Sequence, residues 1–312
     1  MRKTRKSKLK GQKQILLVGL FVFVTLMTIG YAAFNTNITL HAKGNIKIKL
    51  VDITDNVVTS GDGLYEDEYE DGRYVYKGAN PNNYIKFNNE LWRIISKEAD
   101  GTYKIVRNEI LENRVWDTDY YEQALTNNWT YATLNRYLND TYYNRLSNEA
   151  QSQIVSHDFG IGGIATMTDD LASDIKNENS KIWNGKVALI SVSDFIRTNS
   201  NKELCGTNKL ELYNSKTCRK TSWLFIDTST YFWTLTPNTY NNNYKEVWQV
   251  HQFFYLYTTY VNVAGSTGGV RPAVFLSSNL SLSGSGTQSD PFIIVWLTDS
   301  FEKTSKNKGK RA

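Results

Sequence analysis

Histidine, cysteine and proline are all scarce in this chain. Three His, two Cys and four Pro occur among its 312 residues. So few imidazoles and thiols supply no ligand set spaced like a zinc site and few options for a Ser/His/Asp triad. His157 stands next to Asp158, but neighbours on a strand point to opposite faces, which is poor geometry for a catalytic pair. The sequence therefore predicts no catalytic residue, no metal ion and no cofactor.

The body of the chain also lacks a net positive charge, although the whole chain carries a net charge of +5. Its first fourteen residues contribute +7, and the tail 299–312 contributes +3. Subtracting both leaves about −5 on residues 15–298. A mildly acidic body lacks the electrostatic footprint of a nucleic-acid-binding protein. We therefore expect no nucleic-acid partner, and we expect the basic tail to be disordered because it has few apolar residues.

One uncharged apolar run, residues 15–34, has about the length that a helix needs to cross a bilayer. The seven cations in residues 1–14 predict that the N-terminus stays in the cytoplasm. Two interpretations remain open. An uncleaved anchor predicts a single-pass protein of the cell membrane with an extracellular C-terminal domain, and a signal peptide cleaved after Ala32 predicts a secreted protein.

The two cysteines, Cys205 and Cys218, lie close together in a polar segment. Outside the cytoplasm a disulfide persists, and one here would close a short surface loop. In the chain-entropy account such a loop is worth up to about 3 kcal/mol. The sequence predicts this disulfide, and two free thiols are the alternative.

After the apolar run, composition divides the chain into three parts. Residues 35–51 predict a β-hairpin because apolar residues alternate with lysines near its end. Residues 52–72 contain eight acids, no base and few apolar residues, and we expect them to form an acidic stalk. Residues 73–298 predict an extracellular globular domain.

Within residues 73–298, short aromatic and β-branched segments are separated by turn signals. YVYK, YIKF, LWRIIS and YKIVR predict an antiparallel meander. Between residues 130 and 154 the period becomes helical, with Thr130 and Ser147 placed as N-caps. Ser193 is the expected N-cap of a further short helix.

The order of several motifs resembles that of one protein family. The motifs are RYVYKGANPNNYIKFNNELWRIIS, DGTYKIVRNEIL, LNRYLNDTYYNRL, KVALISVSDF, WTLTP and GGVRPAVFL. They look like a family of uncharacterised exported bacterial domains with a "W-x-L-R-S-P … G-V-R-P-A-L" ending. That family is distantly similar to the formylglycine-generating enzyme and to C-type-lectin-like folds. The chain departs from its pattern because Thr236 replaces a serine and the preceding arginine is missing.

The resemblance implies an α+β fold. The expected architecture is a C-type-lectin-like domain of twisted antiparallel sheets with a few flanking helices, preceded by one N-terminal transmembrane helix. The copper-binding cysteine pair of formylglycine-generating enzymes is not carried over to Cys205 and Cys218, because these lie in a polar loop before WTLTP. The Glu-Pro-Asn, Gln-Pro-Asp and Trp-Asn-Asp motifs of calcium-dependent lectins are absent.

Candidate residues fall into a structural group and a binding group. Trp233, Arg271 and Pro272 are expected to be structural, since one arginine entering an apolar strand is typical of a buried, hydrogen-bonded group. The candidate ligand surface consists of Trp248, His251, Phe253, Tyr255 and Tyr257. Aromatic faces there would stack on sugar rings or anchor a protein. The alternative is that these aromatic residues face the core.

These observations predict a noncatalytic cell-surface or secreted module that binds a ligand or partner at the cell envelope. The expected partners are the membrane, through residues 15–34, and an envelope polymer, a glycan or a surface protein. An enzyme on a degenerate fold like that of the formylglycine-generating enzyme is the alternative.

Overall fold

The computed structural model describes most of one domain. Its described residues are 48–118, 127–165, 170–201, 221–226, 231–240, 246–251, 256–260 and 267–295. The chain divides into two compact units, residues 1–47 and 48–312, and every described residue belongs to the second unit. This second unit is called the domain below.

Strands dominate the described residues. In chain order, β1 to β17 are Gly63–Glu66, Tyr74–Lys77, Tyr84–Phe87, Glu90–Lys97, Tyr103–Arg107, Glu112–Arg114, Ile154–Val155, His157–Gly160, Ile182–Gly185, Val187–Leu189, Phe232–Pro237, Glu246–Val250, Leu256–Tyr260, Gly268–Val270, Pro272–Leu276, Ser281–Ser283 and Phe292–Val295. Helices are few and short, so the expected sheet-rich α+β class is confirmed at this level.

The larger sheet has ten strands, and its main path runs β10-β15-β5-β4-β3-β17-β16. Strands β3, β4 and β5 form three strands of the predicted antiparallel meander, whereas β2, which was expected to be its first strand, pairs with β4 instead of β3. The turn between β3 and β4 consists of Asn88 and Asn89, both with positive φ (49° and 60°), which asparagine tolerates better than other side chains do. Strand β17 returns from the end of the domain and pairs with β3 in parallel, with Phe292 opposite Ile85.

A second sheet of five strands runs β13-β12-β11-β14-β6, and a third sheet consists of β8 and β9. In the five-stranded sheet β11 and β14 are parallel. The sheets are therefore mixed rather than purely antiparallel as expected. The segment GGVRPAVFL explains part of this difference, because β14 belongs to the second sheet and β15 to the first, with only Arg271 between them.

The α-helices α1 to α4 are Thr133–Arg136, Asn148–Gln153, Leu171–Glu178 and Val192–Thr198. Single 3₁₀ turns occupy Ile53–Asn56, Trp129–Tyr131 and Tyr143–Arg145, and a π-helical stretch, Tyr137–Tyr142, continues α1.

Helix α2 confirms one predicted cap, because the Ser147 side chain accepts a hydrogen bond from the Ala150 N–H (3.1 Å). Two other predicted caps are wrong by two residues. Asn128 rather than Thr130 caps the turn before α1, and Ser191 rather than Ser193 caps α4.

Two apolar clusters form the core of the described domain. The larger one contains four fully buried tryptophans, Trp92, Trp116, Trp129 and Trp233. The smaller one joins both large sheets to α3 and α4, through side chains such as Phe195 of α4. This packing holds the two helices against the sheets.

The acidic segment 52–72 is part of the folded domain and does not form the expected stalk. Ile53 and Leu64 are buried in the larger cluster, and β1 pairs with β2. The Asp67 carboxylate is buried and forms ion pairs with Arg73 and Arg197. At least this acid of the segment therefore has internal partners, which composition alone does not reveal.

Several predictions fall outside the described residues. These are the membrane span at 15–34, the hairpin up to residue 47, the Cys205–Cys218 disulfide and the tail 299–312. Among the helices of the described residues, none has the length and apolar character needed to cross a bilayer.

Candidate functional site

A cavity of about 380 Å³ lies beside helices α3 and α4, and is called the Glu178 cavity here. Two apolar rings, Phe159 and Phe275, form part of its wall. Its polar and charged lining residues are Glu70, Arg73, Glu98, Lys104, His157, Asp158, Glu178, Asn179, Ser191, Ser193, Asp194 and Arg197.

The local sequence at the start of α4 builds one side of this cavity. Ser191 and Asp194 form a capping box: the Ser191 hydroxyl accepts from the Asp194 N–H (3.3 Å), and the Asp194 carboxylate accepts from the Ser191 N–H (2.8 Å). The same carboxylate accepts from the Lys104 ammonium at 2.9 and 2.8 Å. The cap thereby fixes Ser193 in the first turn of the helix.

Glu178, the last residue of α3, is 1% exposed. Its Oε2 accepts hydrogen bonds from the Thr236 hydroxyl (2.6 Å) and from the Ser193 N–H (3.2 Å). Burial raises the pKa of this carboxyl above its usual 4.5, and the hydrogen-bond donors around it oppose the increase only in part. Among the described residues no cation forms an ion pair with it. Burial therefore makes ionisation of this carboxyl less favourable than it is in water.

The Ser193 side chain is the second unusual group. The residue is 5% exposed, and its buried Oγ lies beside the Glu178 carboxyl without a hydrogen bond of normal geometry to any described residue. A buried hydroxyl without a partner costs about 1–3 kcal/mol. This hydroxyl lines the cavity, so a bound molecule would be able to supply the missing partner.

The cations of the cavity are all paired. Arg73 lies 3.0 Å from Asp67 and 2.8 Å from Glu98. Arg197 forms ion pairs with Asp67 and with Glu70, and burial lowers its pKa to about 10. Lys104 is paired with Asp194, as described above. No lysine or arginine of the lining is thus left to bind a ligand anion.

An aromatic wall completes the cavity. The His157 ring stacks on Phe275 with centroids 3.8 Å apart, and Phe159 packs edge-on against Phe275 at 5.0 Å. The Lys104 ammonium lies 5.9 Å from the Phe159 centroid and 5.7 Å from that of Phe275. The His157 Nε2 lies 3.3 Å from the Asp100 carboxylate, so its polar edge is directed at a residue outside the lining.

A larger cavity of about 720 Å³ lies between the first described residues and the β16–β17 region. None of the buried, unpartnered polar atoms of the described residues belongs to its lining. The Glu178 cavity is therefore the better candidate for a binding site.

The residues that the sequence singled out as structural lie elsewhere. Trp233 and Arg271 are fully buried, and the Trp233 Nε1–H donates to the Arg114 carbonyl (2.7 Å). The Arg271 guanidinium donates to the carbonyls of Arg107 (3.2 Å) and Leu224 (2.9 Å). Burial and the charge of Arg93 lower its pKa to about 9. Pro272 begins β15, opposite Leu189 of β10.

The candidate ligand surface is not one exposed face. Trp248 is buried, and its Nε1–H donates to the Ile164 carbonyl (2.9 Å). Tyr257 is 53% exposed, and its ring lies 6.4 Å from that of His251. Phe253 and Tyr255 lie outside the described residues, as do Cys205 and Cys218. Trp248 therefore belongs to the interior and does not contribute to a surface there.

Together, the fold and the cavity define a sheet-rich α+β domain with a small, polar, largely ion-paired pocket. A family model described as a domain of unknown function, DUF6273, matches residues 100–278. This range is more than half of the chain, and the protein belongs to the DUF6273 family. The range contains Lys104, Glu178, Ser193 and Asp194, whereas Arg73 and Glu98 precede it. No curated protein and no solved structure matches the chain.

Proposed function

We propose that the domain binds a small polar molecule in the Glu178 cavity and does not catalyse a reaction there. The observation that carries the proposal is the unpartnered Ser193 hydroxyl, buried in the wall of this cavity beside the Glu178 carboxyl. Folding leaves such a group without a partner only at a cost, which a bound polar molecule would remove. A volume of about 380 Å³ falls in the range of small-molecule sites.

Binding is favoured over catalysis because the possible nucleophile has no base in position. Ser193 Oγ forms no hydrogen bond of normal geometry, and the Glu178 carboxyl beside it already accepts from the Thr236 hydroxyl and the Ser193 N–H. Lys104 is held by Asp194, and His157 is directed at Asp100. Activation of a serine requires a base within hydrogen-bond reach. The enzyme alternative has no comparable support in these residues.

The setting of this binding is proposed from the sequence. Residues 15–34 would anchor the protein in the cell membrane with the domain outside, and the ligand would come from an envelope polymer, a glycan or a surface protein. The likeness to a C-type-lectin-like fold belongs to the same proposal and is supported by the sheet-rich architecture with few helices. N-terminal sequencing of the protein from isolated membranes tests the anchor, since a chain that begins at Ala33 would contradict it.

The binding proposal is tested by blocking the cavity from its mouth. Ile182 of β9 lines the cavity and is 50% exposed, so Ile182→Trp would narrow the entrance without disturbing the core. Ile293 of β17, 48% exposed, lines a different cavity, and Ile293→Trp is the matched control.

A library of small polar compounds would be screened against the full-length protein in mild detergent by ligand-observed NMR. We expect hits that Ile182→Trp weakens at least tenfold and Ile293→Trp leaves unchanged. A screen without hits, or hits that are insensitive to Ile182→Trp, would contradict the proposal.

A further inference from the structure

Charge balance in the Glu178 cavity indicates the chemistry of its ligand. Five carboxyl groups line the cavity, against two arginines and one lysine. Each of these three cations is already held by a carboxylate, and Arg73 and Arg197 also share Asp67, an additional acid behind the wall. The described lining therefore has an excess of acid.

Within this excess, Glu178 differs from the other acids. Glu70, Glu98 and Asp194 each pair with a cation, and Asp158 is exposed and accepts from the Asn184 amide (2.7 Å). Glu178 alone among the five is 1% exposed and forms no ion pair with a described cation.

A negatively charged ligand is disfavoured by the same arrangement. It would have to displace Asp194 from Lys104, or an acid from one of the arginines, and leave a carboxylate without its partner. Breaking such a buried pair is strongly destabilising. A cationic group, in contrast, would add the counter-charge that Glu178 lacks.

Resting on the binding function proposed above, we propose that the ligand of the Glu178 cavity carries a primary ammonium group. This group would bind between the Glu178 carboxyl and the Ser193 hydroxyl, and the carboxyl would release its proton to solvent as it does so. An ammonium has three N–H donors, and the Ser193 hydroxyl and the Glu178 carboxylate are both acceptors. The aromatic ring of Phe159 or Phe275 would cover the apolar part of the ligand.

The proton release follows from the burial of Glu178. A carboxyl whose pKa is raised in the free protein is protonated over a wider pH range than one in water. Contact with an ammonium favours the ionised form. Binding and proton release are therefore linked. At pH values below the pKa that Glu178 has in the free protein, the affinity for the amine should rise by up to about tenfold per pH unit.

The test uses pairs of small compounds that differ in one group. Each pair has an amine and an alcohol of similar size: glucosamine and glucose, ethanolamine and ethylene glycol, 1,4-diaminobutane and 1,4-butanediol. Calorimetry on the full-length protein between pH 5 and 8, in two buffers with different ionisation enthalpies, measures affinity and protons released. We expect at least one amine to bind tenfold or more tightly than its alcohol, and we expect more protons to be released on binding at the acidic end of this pH range than at its basic end.

Variants locate the effect. Glu178→Gln, which keeps the side-chain shape, should abolish proton release and weaken amine binding at least tenfold. Glu66→Gln, at an exposed position of β1 outside the cavity, should change neither quantity. The comparison of amine with alcohol in the unaltered protein needs no variant, so it remains decisive if Glu178→Gln fails to fold.

Two negative results are distinguishable. Neutral compounds that bind as well as amines, without proton release but with sensitivity to Ile182→Trp, would overturn the ammonium inference and leave the binding function intact. If neither these amines nor the screened library binds, both proposals fail.

Discussion

At the scale of single residues, Arg271 is the clearest case of a buried charged group that needs hydrogen-bond partners. Its guanidinium is fully buried, lies 5.2 Å from the Phe232 ring centroid and donates to two backbone carbonyls. One of its nitrogens, Nη2, has no hydrogen-bond partner among the described residues. The residue stands where the chain leaves one sheet and enters the other, so its hydrogen bonds hold the segments that meet there.

We expect Arg271→Ala to lower the free energy of unfolding by about 2–4 kcal/mol, because two buried carbonyls lose their donor and a cavity forms. Arg271→Met, which fills the space without donating, should lose about half as much. Urea unfolding followed by circular dichroism measures both. A midpoint unchanged in Arg271→Ala would show that these hydrogen bonds contribute nothing to stability.

Glu178 should give the protein a recognisable pH dependence. Burial raises the pKa of Glu178 in the folded state above its usual 4.5. At pH values between the unfolded-state pKa and the folded-state pKa, the folded protein therefore binds more protons than the unfolded protein. Stability is therefore fully present below the unfolded pKa and falls as pH rises through the folded one. Across this pH window, we expect the free energy of unfolding of Glu178→Gln to increase relative to that of the unaltered protein, by at most about 1.4 kcal/mol per pH unit.

The measurement is a series of urea denaturations from pH 4 to pH 8. Glu66→Gln is the control, and its stability should change with pH in the same way as that of the unaltered protein. A difference between Glu178→Gln and the unaltered protein that stays constant with pH would mean that Glu178 titrates normally in the folded state.

At the scale of elements, helix α4 shows how one short segment serves both fold and cavity. Its capping box satisfies the first N–H groups, and Asp194 of that box also binds Lys104 of β5. All seven helical residues are buried, so the helix depends on its surroundings rather than on its own length.

We expect Ser191→Ala and Ser193→Ala to differ although they lie two residues apart. Ser191→Ala removes the cap and should cost about 1 kcal/mol of stability. Ser193→Ala removes a hydroxyl that has no partner and should be neutral or slightly stabilising. Thermal unfolding of the two variants side by side tests this prediction. An equal loss of stability in both variants would contradict the assignment of Ser191 as the cap.

Elements with strong local patterns could be predicted from the sequence, whereas the candidate binding site could not. The meander β3–β5 follows from aromatic and β-branched runs with turns between them, and the Ser147 cap follows from its position before a helical period. The segment S-V-S-D contains two possible capping serines, Ser191 and Ser193, and only the reciprocal hydrogen bond with Asp194 distinguishes them.

The cavity could not be predicted because its residues are distant in sequence and ordinary in type. Lys104 and Asp194 are ninety positions apart, and Glu178 ends a polar helix where an acid is normally solvated. What makes them unusual is burial, which depends on how α3 and α4 pack against the sheets. The family range 100–278 contains these residues but assigns them no role.

At the scale of the whole molecule, buried ion pairs connect the acidic segment 52–72 to the rest of the domain. Asp67 accepts hydrogen bonds from Arg73, which begins the approach to β2, and from Arg197 in α4. Its two partners are nearly as buried as it is. One carboxylate therefore joins the start of the domain to a helix more than a hundred residues later.

We expect Asp67→Asn to destabilise the domain by about 3–5 kcal/mol, because two buried guanidinium groups lose their shared counter-charge. Glu68→Gln is the matched control. Its carboxylate pairs with Lys77 at 2.6 Å but is 50% exposed, so its loss should cost less than about 1 kcal/mol. Chemical denaturation of both variants measures the difference, and equal midpoints would be inconsistent with a special role for Asp67.

The parallel pairing of β3 with β17 also sets the order of events during synthesis. The two strands are about 200 residues apart in the chain. At about 5–20 residues per second, a ribosome needs roughly 10–40 s to make β17 after it has made β3. Throughout that interval one edge of β3 has no neighbour and is open to pairing with another chain. The larger sheet is therefore completed only after β17 has emerged from the ribosome, and until then the open edge of β3 favours pairing with other chains.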